Sequence, residues 1–226
     1  MFIGHWAPAF LAAAASPRAP KLGTLFVAGQ LVDWGFFALS IVGIEKMRIT
    51  PGMTTMNSMD LYYMPYTHSL LGSAVWGLAF AAILILWRRD LFAAIVGGLV
   101  VVSHWLLDFL VHTQDLTLTG APPKLGLGLW NYPAIEIPLE LFLLVGAFIL
   151  YMRSTKGPIA PPAILLVVLL GLQTFNWLAP EPDQWTIATP LLGFVGFGLP
   201  TLIAVWVGST RWHKREVGLA VPSVLR

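Results

Sequence analysis

The sequence predicts an all-α fold, a polytopic membrane helical bundle of about seven helices with its N-terminus outside and its C-terminus cytoplasmic. Three observations carry this expectation. Hydrophobic residues make up 57% of the 226-residue chain and charged residues only 11%, whereas a water-soluble domain carries about a quarter charged residues. Several stretches of about 18 or more residues are uncharged or nearly so, the length of a bilayer-spanning helix, and run apolar throughout instead of alternating as in a β-barrel. The basic residues are also asymmetric. With the C-terminus inside, Arg18, Lys21, Arg88, Arg89, Arg153, Lys156, Arg211, Lys214, Arg215 and Arg226 are cytoplasmic, and only Lys46, Arg48 and Lys124 are outside.

The runs place spans at about 2 to 15, 22 to 44, 67 to 87, 91 to 112, 132 to 152, 160 to 178 and 187 to 207. They form one integral membrane domain over residues 1–226, with helices 1–152 carrying the ionisable residues, further helices over 160–207 and a cytoplasmic tail over 208–226. The first run also resembles a secretory signal, because Ala12 to Ala15 precede Ser16 and Pro17. No Lys or Arg precedes that run, and His5 and Pro8 interrupt it, so the span reading is preferred. Loops 45–66 and 113–131 are then external, with Tyr62, Tyr63, Tyr66, Trp130 and Tyr132 suited to headgroup depth. The chain has no Cys, which excludes disulfides, thiolate zinc sites and cysteine nucleophiles. A net charge of +2 gives no reason to expect a nucleic acid partner.

A charge at mid-bilayer costs about 2.5–3.5 kcal/mol on insertion scales, so each one needs a partner or a task. The ionisable residues in the runs are His5, Asp33, His68, His104, Asp108, His112, Glu136 and Glu140. His104 and Asp108 are four residues apart and share a helical face, with His112 one turn further on; Glu136 and Glu140 repeat the spacing. Two carboxylates on one face repel unless a cation or proton lies between them. At about 1.5 Å per residue, His5, Asp33, His68, His104, Asp108, Glu136 and Glu140 all fall in the outer half of their spans. A common depth is what a metal site requires. The plainer reading is a set of interhelical hydrogen bonds, with His68 an ordinary first-turn residue behind a Thr67 N-cap and the two glutamates paired with Lys124 or Arg48.

The ordered set His5, Asp33, Thr67-His68-Ser69 and His104-x-x-x-Asp108 resembles the bacterial membrane-bound metal-dependent hydrolase family over roughly the first 150 residues. The order also looks like that of zinc-dependent phospholipase C, with Glu136 and Glu140 in place of the last acidic ligands. The chain departs from many such relatives in having Leu31-Val32-Asp33-Trp34-Gly35 in place of Pro-Asp-x-Asp, and no His-Arg ahead of Thr67. The resemblance implies a bacterial inner-membrane protein with hydrolase activity.

Imidazole and carboxylate donors without sulfur suit one or two Zn²⁺ ions, or Mn²⁺ or Fe²⁺. The expected function is metal-dependent hydrolysis of a phosphodiester or phosphoester in a lipid-like, amphiphilic substrate at the extracytoplasmic face. In that expectation His5, Asp33, His68, His104 and Asp108 are ligands, and Glu136 and Glu140 are the catalytic carboxylates. Thr67, Ser69 and His112 support the ligands, and Tyr66, Lys124, Asn131 and Arg48 contact the head group. Two alternatives use the same residues: a transporter relaying protons or a divalent ion, and a noncatalytic scaffold around a structural metal. A relay should continue inward, yet the cytoplasmic halves of the spans carry no ionisable side chain.

Overall fold

Pro17 forces the residue before it into extended backbone, and Ser16 has φ −151° and ψ 138°, so the first apolar run stops at Ala15. In the computed structural model, which describes residues 1–215, that run is a 3₁₀ turn (Ile3–Trp6) followed by a nine-residue helix α1 (Ala7–Ala15). It is too short to cross a bilayer core of about 30 Å. The expected first span is therefore corrected to a short apolar insertion. One face of it is enclosed by protein: Ile3, Trp6 and Phe10 are each 0% exposed.

The remaining helices are α2 (Leu22–Ile41), α3 (Leu70–Arg88), α4 (Leu91–Val111), α5 (Pro133–Ser154), α6 (Ala160–Leu178) and α7 (Ala188–Thr210). Among the described residues the structure is 66% helical, and six helices are long and apolar enough to cross a membrane. It is an all-α bundle of the membrane type. Helix α2 ends at Ile41, three residues before the expected 44. Helix α3 starts at Leu70, where Ser69 is the N-cap and accepts from the Gly72 N–H at 2.9 Å. The expected Thr67 cap is thus replaced by Ser69, and His68 lies in the turn ahead of the helix. Residues 216–226, including Arg226 and the end of the expected tail, lie outside the described residues.

Helix α1 lies in the middle of the bundle, against α2, α4 and α5. Aromatic residues of α1 and of the turn before it interlock with theirs: Trp6 stacks on Phe26 at 5.2 Å, and Phe10 meets Phe148 edge-on at 5.6 Å.

At one end of the bundle the loops form two antiparallel hairpins, β1 (Lys46–Ile49) with β2 (Met59–Tyr63), and β3 (Leu116–Thr117) with β4 (Lys124–Leu125). A second apolar cluster, including Phe36, Met47, Leu61, Met64, Trp105 and Trp130, seats them on the helix ends. At the other end, β5 (Thr155–Lys156) pairs with β6 (Trp212–His213). There Arg211 donates to the carbonyls of Thr155, Gly157 and Pro158.

Candidate metal centre

Four structural pieces bring imidazole and carboxylate groups to one place just beneath the hairpin end. The 3₁₀ turn supplies His5, α2 supplies Asp33, the turn before α3 supplies His68, and α4 supplies His104 and Asp108, with His112 at its C-cap. Asp108 is central. Its Oδ1 lies 3.0 Å from His5 Nε2 and 3.5 Å from His112 Nε2, and its Oδ2 lies 3.1 Å from His104 Nε2 and 3.6 Å from His68 Nε2. Asp33 Oδ1 is 3.3 Å from both His68 Nε2 and His104 Nε2. Three overlapping triads have ligand atoms mutually within 4.8 Å: His5–His104–Asp108, Asp33–His68–His104 and His68–Asp108–His112.

The helices set these distances. His104 and Asp108 share one face of α4, and Gly29 on α2 lets the first turn approach closely: a Cβ there would lie 2.7 Å from the His5 carbonyl oxygen. The Gly29 carbonyl accepts from His104 Nδ1 at 2.9 Å. The His5 and His104 rings consequently stack, 3.6 Å apart and 6° from parallel.

The ring hydrogen bonds fix which nitrogens face inward. His104 Nδ1 meets a carbonyl and His112 Nδ1 meets the Asp115 carboxylate at 2.9 Å. Neither partner can donate, so both Nδ1 atoms carry protons and both Nε2 atoms turn to the cluster. The site is also buried. Side chains of His5, His68, His104, Asp108 and His112 are 0–3% exposed, while Asp33 is 19% exposed and forms the open edge. Yet His5 Nδ1, His5 Nε2, His104 Nε2 and Asp108 Oδ2 make no hydrogen bond. The Met1 α-amino nitrogen donates to Asp108 Oδ1 at 3.0 Å.

The glutamates stand apart from the ligand triads. Glu140 Oε1 accepts the backbone N–H groups of Phe2 at 2.7 Å and Gly4 at 2.8 Å, and Oε2 accepts from Gln173 Nε2 at 2.8 Å. The alternative pairing with Lys124 or Arg48 is not made. Glu140 anchors the segment that carries His5. Glu136, one turn earlier, is buried with Oε2 unpaired.

The expected head-group residues are dispersed over the hairpin end. Arg48 pairs with Asp60 at 2.6 Å, and its guanidinium lies 5.2 Å from the Tyr62 ring. Tyr66 is exposed, and the Asn131 carbonyl accepts from Thr55 at 3.4 Å. Lys124 alone of the four lines a cavity of about 210 Å³, together with Tyr62, Tyr63, Pro65 and Asp115.

Sequence reasoning passed over Glu45 and Asp115, which lie in the loops and are buried against Thr67 and His112. It also missed Gln173, the uncharged partner of Glu140. Spacing could have flagged only Asp115, three residues after His112.

The fold and site define a helical membrane bundle with a buried His/Asp cluster suited to a divalent cation. Comparison with known proteins finds no matching family model, no matching curated protein and no matching solved structure.

Proposed function

We propose that the cluster holds a divalent cation, Zn²⁺ by donor type, and that the protein is a membrane-embedded metal-dependent hydrolase. The observation that carries this reading is that His5 Nε2 and His104 Nε2 lie 3.0 and 3.1 Å from the Asp108 carboxylate, while these two nitrogens and Asp108 Oδ2 make no hydrogen bond. Unpaired buried polar atoms are costly. The ligand shell of a first-row ion, with bonds of about 2.0–2.2 Å, puts neighbouring donors about 3 Å apart. His5, Asp33, His68, His104, Asp108 and His112 are the residues that would hold it. When bound, such a cation supplies Lewis acidity and lowers the pKa of water toward about 7.

The protein's own groups define the rest. Asp33 is the exposed edge of the site and lies eight residues before Ile41, about 12 Å along α2 from its hairpin end. A substrate reaching that edge from within the bilayer keeps its tail in lipid and presents its head to the cluster. A phosphodiester or phosphoester of an amphiphile is therefore the substrate class favoured here. Glu136, with Oε2 unpaired, is the group assigned to hold and transfer a proton; Glu140 is committed to backbone donors. The charge asymmetry supports an extracytoplasmic hairpin end, and a bacterial inner membrane is the proposed location.

The test is metal content by mass spectrometry of detergent-purified protein, with His104→Ala and Asp108→Ala alongside. Stoichiometric zinc in the parent and its loss in both variants support the reading; a folded, metal-free parent indifferent to chelator ends it. Phosphodiester turnover in micelles separates a hydrolase from a carrier, because a carrier needs two compartments.

A further inference from the structure

His68 differs from the other anchored histidines in how its Nδ1 is held. Its partner is neither a carbonyl nor a carboxylate but the Thr67 hydroxyl at 2.8 Å, which can donate or accept. The tautomer of His68 is therefore decided one residue further out. Helix α2 ends in a turn through Gly43 at φ 75°, a left-handed conformation that favours glycine. The turn swings Glu45 back under residues 66–68. Glu45 is 1% exposed, and three donors converge on it: Tyr66 N–H at 2.8 Å and Thr67 N–H at 3.0 Å on Oε1, and the Thr67 hydroxyl at 2.6 Å on Oε2.

A carboxylate only accepts, so the single hydroxyl proton of Thr67 points at Glu45. The hydroxyl oxygen must then accept from His68 Nδ1–H. We infer that Glu45, acting through the Thr67 hydroxyl, is the positioning residue that fixes His68 as the Nδ1–H tautomer and leaves its Nε2 lone pair facing Asp33 and Asp108. The inference rests on the metal reading for its consequence, and on the hydrogen-bond geometry alone for the tautomer.

Glu45→Gln isolates this role. The amide oxygen can still accept the Tyr66 and Thr67 N–H groups, so the loop keeps its backbone anchor. The amide nitrogen, however, takes the place of Oε2 and donates to Thr67. The hydroxyl must then donate to His68 Nδ1, moving the ring proton to Nε2, where it blocks a ligand position. A residue that merely held the loop would show no such change.

The experiment has two readouts on the full chain in detergent. The first is the ¹⁵N spectrum of the His68 ring in metal-free protein, assigned by its loss in His68→Asn. The parent and Thr67→Ser should carry the proton on Nδ1, and Glu45→Gln should carry it on Nε2. The second is Zn²⁺ affinity, expected to fall about 10–100-fold in Glu45→Gln and Thr67→Val, the usual effect of losing an outer-shell partner, and to stay near parental in Thr67→Ser. A parental ring protonated on Nε2, or a Glu45→Gln ring and affinity both unchanged, overturns the inference. A parental Nδ1–H ring in a protein that takes up no Zn²⁺ overturns the metal reading and leaves the positioning role standing. If Glu45→Gln does not fold, the parental ring and the Thr67→Ser and Thr67→Val pair decide.

Discussion

At Glu140 the distinction between an anchor and an acid-base group becomes measurable. Its carboxylate satisfies two backbone N–H groups of the first turn, at Phe2 and Gly4, together with Gln173. Truncation in Glu140→Ala strands those N–H groups in a buried setting, at about 1–3 kcal/mol each. A loss of about 2–5 kcal/mol is expected, read as a lowered thermal midpoint, together with weaker zinc retention because the turn positions His5. Glu140→Gln keeps an acceptor for both N–H groups. Gln173 can invert its amide to meet the new NH₂ group, since its Oε1 has no partner. That variant should stay within about 1 kcal/mol of the parent and retain most turnover, whereas removing a general base costs about 10²–10⁴-fold. A collapse of turnover in folded Glu140→Gln would restore it to a catalytic role. The cluster residues themselves were legible because an ionisable side chain inside an apolar run is conspicuous. Glu45 and Asp115 were not, because burial of a loop charge depends on how the hairpins fold over the helix ends.

Among the elements, the turn between α3 and α4 shows how one carboxylate both caps a long helix and ties it to the segment after α1. Asp90 is the N-cap of α4, accepting from Phe92 N–H at 2.9 Å and Ala93 N–H at 3.2 Å, and Arg18 reaches it at 3.0 Å from the segment after α1. The Ala93 N–H, then Arg18, hold its carboxyl below the ordinary aspartate range. A depressed value in the folded state stabilises the protein above the unfolded value of about 3.9, and that stabilisation is lost as pH falls through the folded value. Asp90→Asn keeps a cap acceptor but cannot titrate. Its thermal midpoint should therefore lie below the parent's at neutral pH, with the two converging as pH is lowered from 5 to 3. Equal slopes over that range would remove Asp90 from the acid response. The long helices were readable because apolar side chains dominate each of them over 18 residues or more, whether they face protein or lipid. The first segment was over-read for the same reason: apolarity does not distinguish a helix facing lipid from one enclosed by other helices. The hairpins have strands of two to five residues, too short to show a period of their own.

For the whole molecule, the cluster depends on a short segment threaded through the bundle and on hairpins that cover one end, so the side of the membrane they face decides where chemistry occurs. The basic residues flanking the β5–β6 end, Arg153, Lys156, Arg211, Lys214 and Arg215, set against Lys46, Arg48 and Lys124 at the hairpin end, argue that the hairpins are extracytoplasmic. The chain contains no Cys, so single cysteines report topology without background. Ala121, between β3 and β4, and Ala160, at the start of α6, are both exposed and lie at opposite ends. In intact bacterial cells whose outer membrane admits the reagent, a membrane-impermeant maleimide should label Ala121→Cys, and should label Ala160→Cys only after the inner membrane is opened. The reverse pattern would turn the cluster toward the cytoplasm. It would leave the geometry of the His/Asp cluster as it stands but replace the proposed extracytoplasmic substrate with one drawn from the inner leaflet.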